Sequence, residues 1–259
     1  MVSNNDAGNW DNEFQDFRKK HLDEQVNDTA FVELSRKWLH SSSEKKYSYQ
    51  FDWLGIPIIQ MPTDIVIFQE IVWRTKPDLI IETGVARGGS INFWASIQNL
   101  CQIEGHVIGI DIDIRDHAKN AIEHSRFKEN ITLIEGDSIG KEILEKVSNL
   151  STGYKNVMVV LDSNHTHEHV LKELELYSEL VSEGCYLLVL DTMIEDLPVP
   201  GDRPWQPGNS PKSAVEAFLN GKKNLFSIDT ELENRSLLTV APYGFLVRNS
   251  SSESRTARD

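Results

Sequence analysis

Residues 76–90 read "KPDLIIETGVARGGS", and this stretch decides the fold. A short apolar run stops at Glu82. Gly84 and Gly88 follow, and "SINFWASIQNL" continues with helical spacing from Ser90. The pattern is a strand, a tight turn and a helix beginning at Gly89 or Ser90, because glycine lets the backbone turn sharply and approach a ligand. The turn is neither GxGxxG nor a P-loop, since no Lys-Ser/Thr pair follows its glycines.

Outward from this turn the punctuation repeats. "HVIGIDID" (106–113), "NITLIEGDS" (130–138), "NVMVVLDSNH" (156–165) and "CYLLVLDT" (185–192) are further apolar runs ending in acidic or polar residues. Helical stretches lie between them, such as "VLKELELYSELVSEG", closed by Gly184. Upstream, Thr63 or Asp64 can cap a helix whose buried face is Ile65, Phe68, Ile71 and Val72. Continuous apolar strands alternating with helices predict an α/β fold with a parallel sheet covered on both faces. Ligands bind such sheets at the carboxyl ends of the strands, and the acidic residues of interest all fall there.

Composition narrows the partners. A formal charge of −14 argues against nucleic acid or an anionic membrane surface, which need clustered Lys and Arg. Cys101 and Cys185 lie in or beside apolar segments and read as reduced core residues. The first fifteen residues contain no apolar signal core, and no later run reaches membrane-spanning length, so membrane insertion is not expected. The expectation is a soluble, cytoplasmic protein.

The strand ends suggest a nucleoside cofactor. Asp111 lies 29 residues after Glu82, where a dinucleotide or adenosyl site places its ribose-binding carboxylate. Asp113 is the alternative ribose partner. Asp137 and Ser138, ending the third run, lie where an adenine ring would sit. With no pyrophosphate fingerprint, these ends favour S-adenosylmethionine over NAD. Glu82 would face its cationic amino-acid end, and Gly84, Arg87, Gly88 and Ser90 of the turn complete the candidate contacts. Asp162 and Asp191 end the fourth and fifth runs. On neighbouring strands their Cα atoms would be roughly 5 Å apart, and two carboxylates that close need a proton or a cation between them. Oxygen-only ligands suit Mg²⁺.

"LDSNHTHEH" (161–169) poses a choice between a histidine metal cage and a single base beside the acidic pair. On a helix, alternate residues diverge, so His165, His167 and His169 cannot all grip one ion. His165 lies three residues after Asp162 and stays over the strand end. A neutral imidazole, ordinarily titrating near ~6.5, can take a proton from an acidified hydroxyl. A metal-dependent hydrolase using the histidine cluster, and a silent nucleotide- or sugar-binding module, are the competing functions.

The chain resembles the cephalosporin hydroxylase/rhamnosyl O-methyltransferase family of class I S-adenosylmethionine-dependent enzymes. The resemblance is carried by "YSYQFDWLGIPIIQMPTD", "KPDLIIETGVARGGS", "LDSNHTHEHVLKELELYSELVSEGCYLLVLDT", "DRPWQPGNSPKSAVEAFL" and "APYGFLVR", spanning roughly residues 47–248. It implies a Rossmann-like, seven-stranded, mostly parallel sheet and a Mg²⁺-assisted O-methyl transfer to a sugar hydroxyl, on a glycan, glycolipid or secondary-metabolite acceptor. It also implies that Asp162 binds the cation and contributes to catalysis, that His165 is the base, and that Asp191 completes the metal site. Where the family carries a second acid or Asn, this chain has Thr192, leaving Thr192, Glu195 or Asp196 as the third ligand. An iron oxygenase would need a two-His-one-carboxylate triad, and no spacing here supplies one.

Residues 193–213 hold five of the nine prolines and read as a stiff loop placed to cover the site, with Trp205 able to stack on a sugar ring and Arg203 able to hold an anion. The expected organisation is an N-terminal helical extension (1–48), a methyltransferase domain (49–249) and a frayed tail (250–259). An extension of this size suits assembly into a homo-oligomer.

Overall fold

The computed structural model describes residues 12–197, 203–222 and 224–250. The tail beyond Ser250, the first 11 residues of the extension and Pro198–Asp202 of the proline-rich loop lie outside the described residues. Helices α1 (Asn12–Asn27) and α2 (Thr29–Glu44) come first, then a hairpin of β1 (Asp52–Trp53) and β2 (Ile56–Pro57). Strands and helices then alternate: α3 (Pro62–Thr75), β3 (Leu79–Thr83), α4 (Gly89–Leu100), β4 (His106–Asp111), α5 (Asp116–Glu123), β5 (Ile131–Glu135), α6 (Lys141–Ser151), β6 (Val157–Leu161), α7 (His167–Tyr177) and β7 (Tyr186–Val189). Helix α8 (Pro211–Lys222), β8 (Phe226–Ile228), α9 (Thr230–Arg235) and β9 (Phe245–Arg248) complete the described chain.

The seven-stranded sheet has the order β5-β4-β3-β6-β7-β9-β8. Strands β3 to β7 pair in parallel, and β9 runs antiparallel to both its neighbours. Alternate residues of each strand feed opposite faces. Ile80, Val107, Met158 and Leu188 pack with α3, α4 and α5, whereas Leu79, Ile108, Val159 and Leu187 pack with α6, α7 and α8. Strands buried on both sides explain why the runs are continuously apolar rather than alternating. The strand order reverses between β3 and β6, which puts the cleft at their carboxyl ends.

Two local expectations change. Helix α3 starts at Pro62 with Met61 at its cap, because proline is pre-set for a first helical position. Asp64 is fully buried instead and accepts from the Val240 backbone N–H at 2.9 Å; Ile67 joins the buried face and Ile65 is only partly covered. Both cysteines are free, as the composition suggested. Helix α1 buries no residue, and α2, capped by Asp28, buries only Ser35. No described helix is long and apolar enough to cross a membrane.

Candidate active site

One cleft of about 900 Å³ opens at the carboxyl ends of β3, β4 and β6. Its floor is the turn after β3. Gly84 has φ +96°, and a Cβ there would stand 2.1 Å from the Asp162 carbonyl oxygen, so only glycine lets the ends of β3 and β6 lie this close. Gly88 caps α4 in the left-handed region and does not line the cleft, whereas Arg87 and Ser90 do. Asp111 ends β4; its Oδ2 accepts from the Val85 and Ala86 N–H groups at 2.8 and 3.2 Å, which ties the turn to the neighbouring strand. Asp113 is exposed beside Arg115. Asp137 and Ser138 line the far wall.

Glu82 departs from expectation. It is fully buried beneath the turn, accepting from Ser90 Oγ and Trp94 Nε1, and does not line the cleft. Burial pushes its pKa up to about 8, against the two hydrogen bonds. Glu82 therefore anchors Ser90 and α4 from below rather than facing the cleft.

Three side chains converge at the ends of β6 and β7. Asp162, His165 and Asp191 place their ligand atoms within 4.8 Å of one another, the one such group among the described residues. The register Leu161↔Val189 sets Asp162 beside Leu190, so Asp191 stands one residue further along. Asp191 has φ 55°, in the left-handed region that Asp tolerates better than most residues. Its Oδ2 lies 3.1 Å from His165 Nε2. Asp162 accepts from Gln60 Nε2 at 3.2 Å. Burial first, then the charges of Asp191, Glu82 and Glu173, raise the Asp162 carboxyl well above its ordinary value. Neither carboxylate pairs with a Lys or Arg among the described residues. A buried acid facing a second acid with no cationic partner is the donor set a small divalent cation neutralises.

The other proposed metal ligands are not brought to this cluster. Glu195 is bonded to Ser210 Oγ and the Gly208 N–H, and Asp196 pairs with Lys212. Thr192 is wholly buried and does not line the cleft. The 3₁₀ turn Thr192–Asp196 carries these side chains away as soon as β7 ends.

The histidines go three ways. His165 precedes α7 rather than opening it, on a turn fixed by Asn164 Oδ1 accepting from the Thr166 N–H. His167 Nδ1 meets Ser213 Oγ at 2.8 Å, and His169 faces Ser138, Ser163 and Glu173. No cage forms, and the metal-type cluster has one His and two Asp, so neither a histidine-cage hydrolase nor a two-His-one-carboxylate oxygenase fits it. The Trp205 ring stands edge-on to His165 at 4.9 Å, with Arg203 over it at 5.0 Å.

The segment YSYQFDWLGIPIIQ (47–60) was expected to line the acceptor pocket, and its Ser48, Tyr49, Pro57, Ile58, Ile59 and Gln60 do line the cleft, whereas other contributors were not foreseen. The bond from Gln60 to Asp162 was not foreseen, and Glu173 was hidden in what reads as a solvated helix face. His40, Glu44 and Lys46, from the end of α2 and the turn after it, also line the cleft. The His169–Glu173 spacing of one helical turn was the available signal for Glu173.

Comparisons with known proteins bear on the family and the fold. The family model "Rhamnosyl O-methyltransferase/CmcI" matches residues 45–249. A rhamnosyl O-methyltransferase of Mycobacterium tuberculosis (strain ATCC 25618 / H37Rv) is 32% identical over 224 residues, covering 85% of this chain and 86% of that protein. A rhamnosyl O-methyltransferase of Mycobacterium leprae (strain TN) is 29% identical over 197 residues, covering 76% and 82%. Among solved structures, an apo form of CmcI superposes with a TM-score of 0.60 at 23% identity, and CmcI with Mg and SAM with 0.58 at 21%, each covering 78% of both chains. At that identity the structural likeness speaks for the fold.

Proposed function

The chain belongs to the rhamnosyl O-methyltransferase/CmcI family, and from that premise we propose that it moves a methyl group from S-adenosylmethionine to a hydroxyl of a sugar-bearing small molecule or glycan, with Mg²⁺ at the acidic pair. The observation that carries this reading is the convergence of Asp162, His165 and Asp191 in the cleft that also holds the glycine turn, Asp111 and Asp137. When bound, Mg²⁺ would neutralise the two carboxylates and acidify an acceptor hydroxyl, and S-adenosylmethionine would supply an electrophilic methyl.

The chain's own residues do the rest. Asp111 accepts from the ribose hydroxyls while its Oδ2 holds the turn; Asp137 and Ser138 meet the adenine; Arg87 and Ser90 flank the amino-acid end. Asp162 and Asp191 are the protein's cation ligands, with Gln60 orienting Asp162. His165 takes the acceptor proton, which is then held against Asp191 Oδ2, 3.1 Å from Nε2. Trp205, edge-on to that ring, restricts its rotation and excludes water. Transfer is a displacement between two held atoms, so positioning supplies most of the acceleration.

Residues 49–249 form the catalytic domain in this reading, and the extension contributes a wall of the acceptor side through His40 to Lys46. The extension also joins copies of the chain. Phe14, Phe17, Phe31, Leu34 and Trp38 are exposed on it, and residues 12–46 hold seven acidic and seven basic side chains in a chain of net charge −14. Two copies can meet there without like-charge repulsion.

Calorimetric titration of S-adenosylhomocysteine into chelator-treated protein, repeated with Mg²⁺, tests the cofactor reading. Binding in the micromolar range is expected; no binding in either condition removes the methyltransferase assignment.

A further inference from the structure

Glu173, in the middle of α7, is wholly buried, yet neither the cation site nor the proton transfer uses it. Its Oε1 receives the hydroxyl of Ser138 at 2.6 Å and that of Ser163 at 2.7 Å, with His169 Nε2 at 3.5 Å. Those partners come from the loop after β5, the loop after β6 and the first turn of α7, and all three line the cleft. Tyr177 OH fixes the same corner by donating to the Ser138 carbonyl at 2.8 Å. Glu173 Oε2 is buried without a hydrogen-bond partner among the described residues. A buried carboxylate opposes stability unless it organises its surroundings, and here it organises a wall.

A hydroxyl has one proton and two lone pairs. With both serine protons directed at Glu173, each serine oxygen can only accept from any further group. His169 Nε2 lies 3.1 Å from Ser138 Oγ and 3.3 Å from Ser163 Oγ, so that ring nitrogen is the donor. Asp137, the next cleft-lining residue, is a carboxylate whose Oδ1 takes the Ile139 N–H. The serine oxygens and Asp137 together make this corner a set of acceptors.

We propose that Glu173 is a positioning residue that fixes the hydrogen-bonding sense of this corner, so that the cleft accepts a 6-aminopurine and turns away a 6-oxopurine. An exocyclic amino group donates to the serine and Asp137 oxygens. A 6-oxo group would set its lone pairs against theirs. The inference rests on the S-adenosylmethionine reading and adds to it a residue that sets base specificity from behind the wall.

Calorimetry of two ligands tests it: S-adenosylhomocysteine and S-inosylhomocysteine, which differ at the 6-position of the purine and the adjoining ring proton. The wild-type chain is expected to prefer the adenosyl ligand at least ~10-fold, as sites built around a substrate's hydrogen bonds do. Glu173→Leu removes the acceptor that holds both serine protons, so either hydroxyl can turn its proton toward the cleft, and the preference should fall toward unity. A merely structural role would weaken both ligands alike and leave the ratio standing. Equal wild-type affinity for the two ligands overturns the proposal while leaving the cofactor reading intact. Failure to bind either overturns both. An unchanged ratio in folded Glu173→Leu also overturns it. Should that variant not fold, the ratio in Ser138→Ala and in Ser163→Ala decides: a fall in either supports the proposal, and no fall in either defeats it.

Discussion

At the scale of single residues, each partner of the acidic pair has its own signature. His165→Ala should lower kcat by roughly 10²–10⁴-fold, the usual worth of a general base, and leave S-adenosylhomocysteine affinity unchanged by calorimetry. Asp191→Asn is the sharper test of the cation site, because Asn tolerates the left-handed backbone at φ 55° and loses only the charge. Mg²⁺ affinity should drop at least ~10-fold, since even outer partners of metal ligands matter that much. Full Mg²⁺ affinity in this variant would remove Asp191 from the site. Glu82 acts on stability. Its pKa is raised from 4.5 to about 8, and that of buried Asp64 from 3.8 to about 7, in both cases mainly by burial. Below the unfolded values both states hold these protons. As pH rises, the unfolded chain releases them first, so the stability these groups contribute is complete below about 4 and is lost as pH climbs through 7 to 8. Glu82→Gln keeps an acceptor for Trp94 and a donor for Ser90, so urea midpoints across pH 5–9 should decline less steeply than in the wild type.

At the scale of elements, the strand-to-helix turns carry the site. Gly84→Ala puts a methyl 2.1 Å from the Asp162 carbonyl at a φ of +96°, which should cost about 3 kcal/mol or more, a fall in melting temperature of roughly 10 °C in a chain of this size. A melting point within a degree or two of wild type would mean that β3 and β6 can part freely. These turns were readable because glycine and a terminal acid punctuate each apolar run. Asp111, Asp137, Asp162 and Asp191 fall at strand ends, and strand ends are what periodicity locates best. Glu82 was misread for a physical reason. Glu82 still lies in the ladder, opposite Gly109 and Val160, and period two puts it on the face of Ile80, under α4, where Ser90 and Trp94 donate to it. Thr192, Glu195 and Asp196 lie away from the acidic pair because the direction of a 3₁₀ turn after β7 is set by what it packs against. Glu173 stayed hidden since its donors lie on other elements, 35 and 10 residues away.

At the scale of the whole molecule, the extension is joined lightly to the body, as the lack of buried residues in α1 and the Gln25 Nε2 bond to the Asn234 carbonyl indicate. Removing residues 1–46 should leave a folded chain with native S-adenosylhomocysteine affinity, sediment it as a monomer and raise the acceptor KM several-fold, because the proposed acceptor wall includes His40, Ser42, Ser43, Glu44 and Lys46 of the cleft lining. Loss of cofactor binding instead would show that the extension belongs to the nucleoside half. The sheet's outer strands carry a different lesson. Strand β9 lies between β7 and β8, although β8 precedes it in the chain. During synthesis on the ribosome, β7 and β8 therefore emerge and wait, each with an unsatisfied edge that could pair with a neighbouring nascent chain. The last described strand is a keystone: growing chains are vulnerable to aggregation just before Phe245–Arg248 arrives.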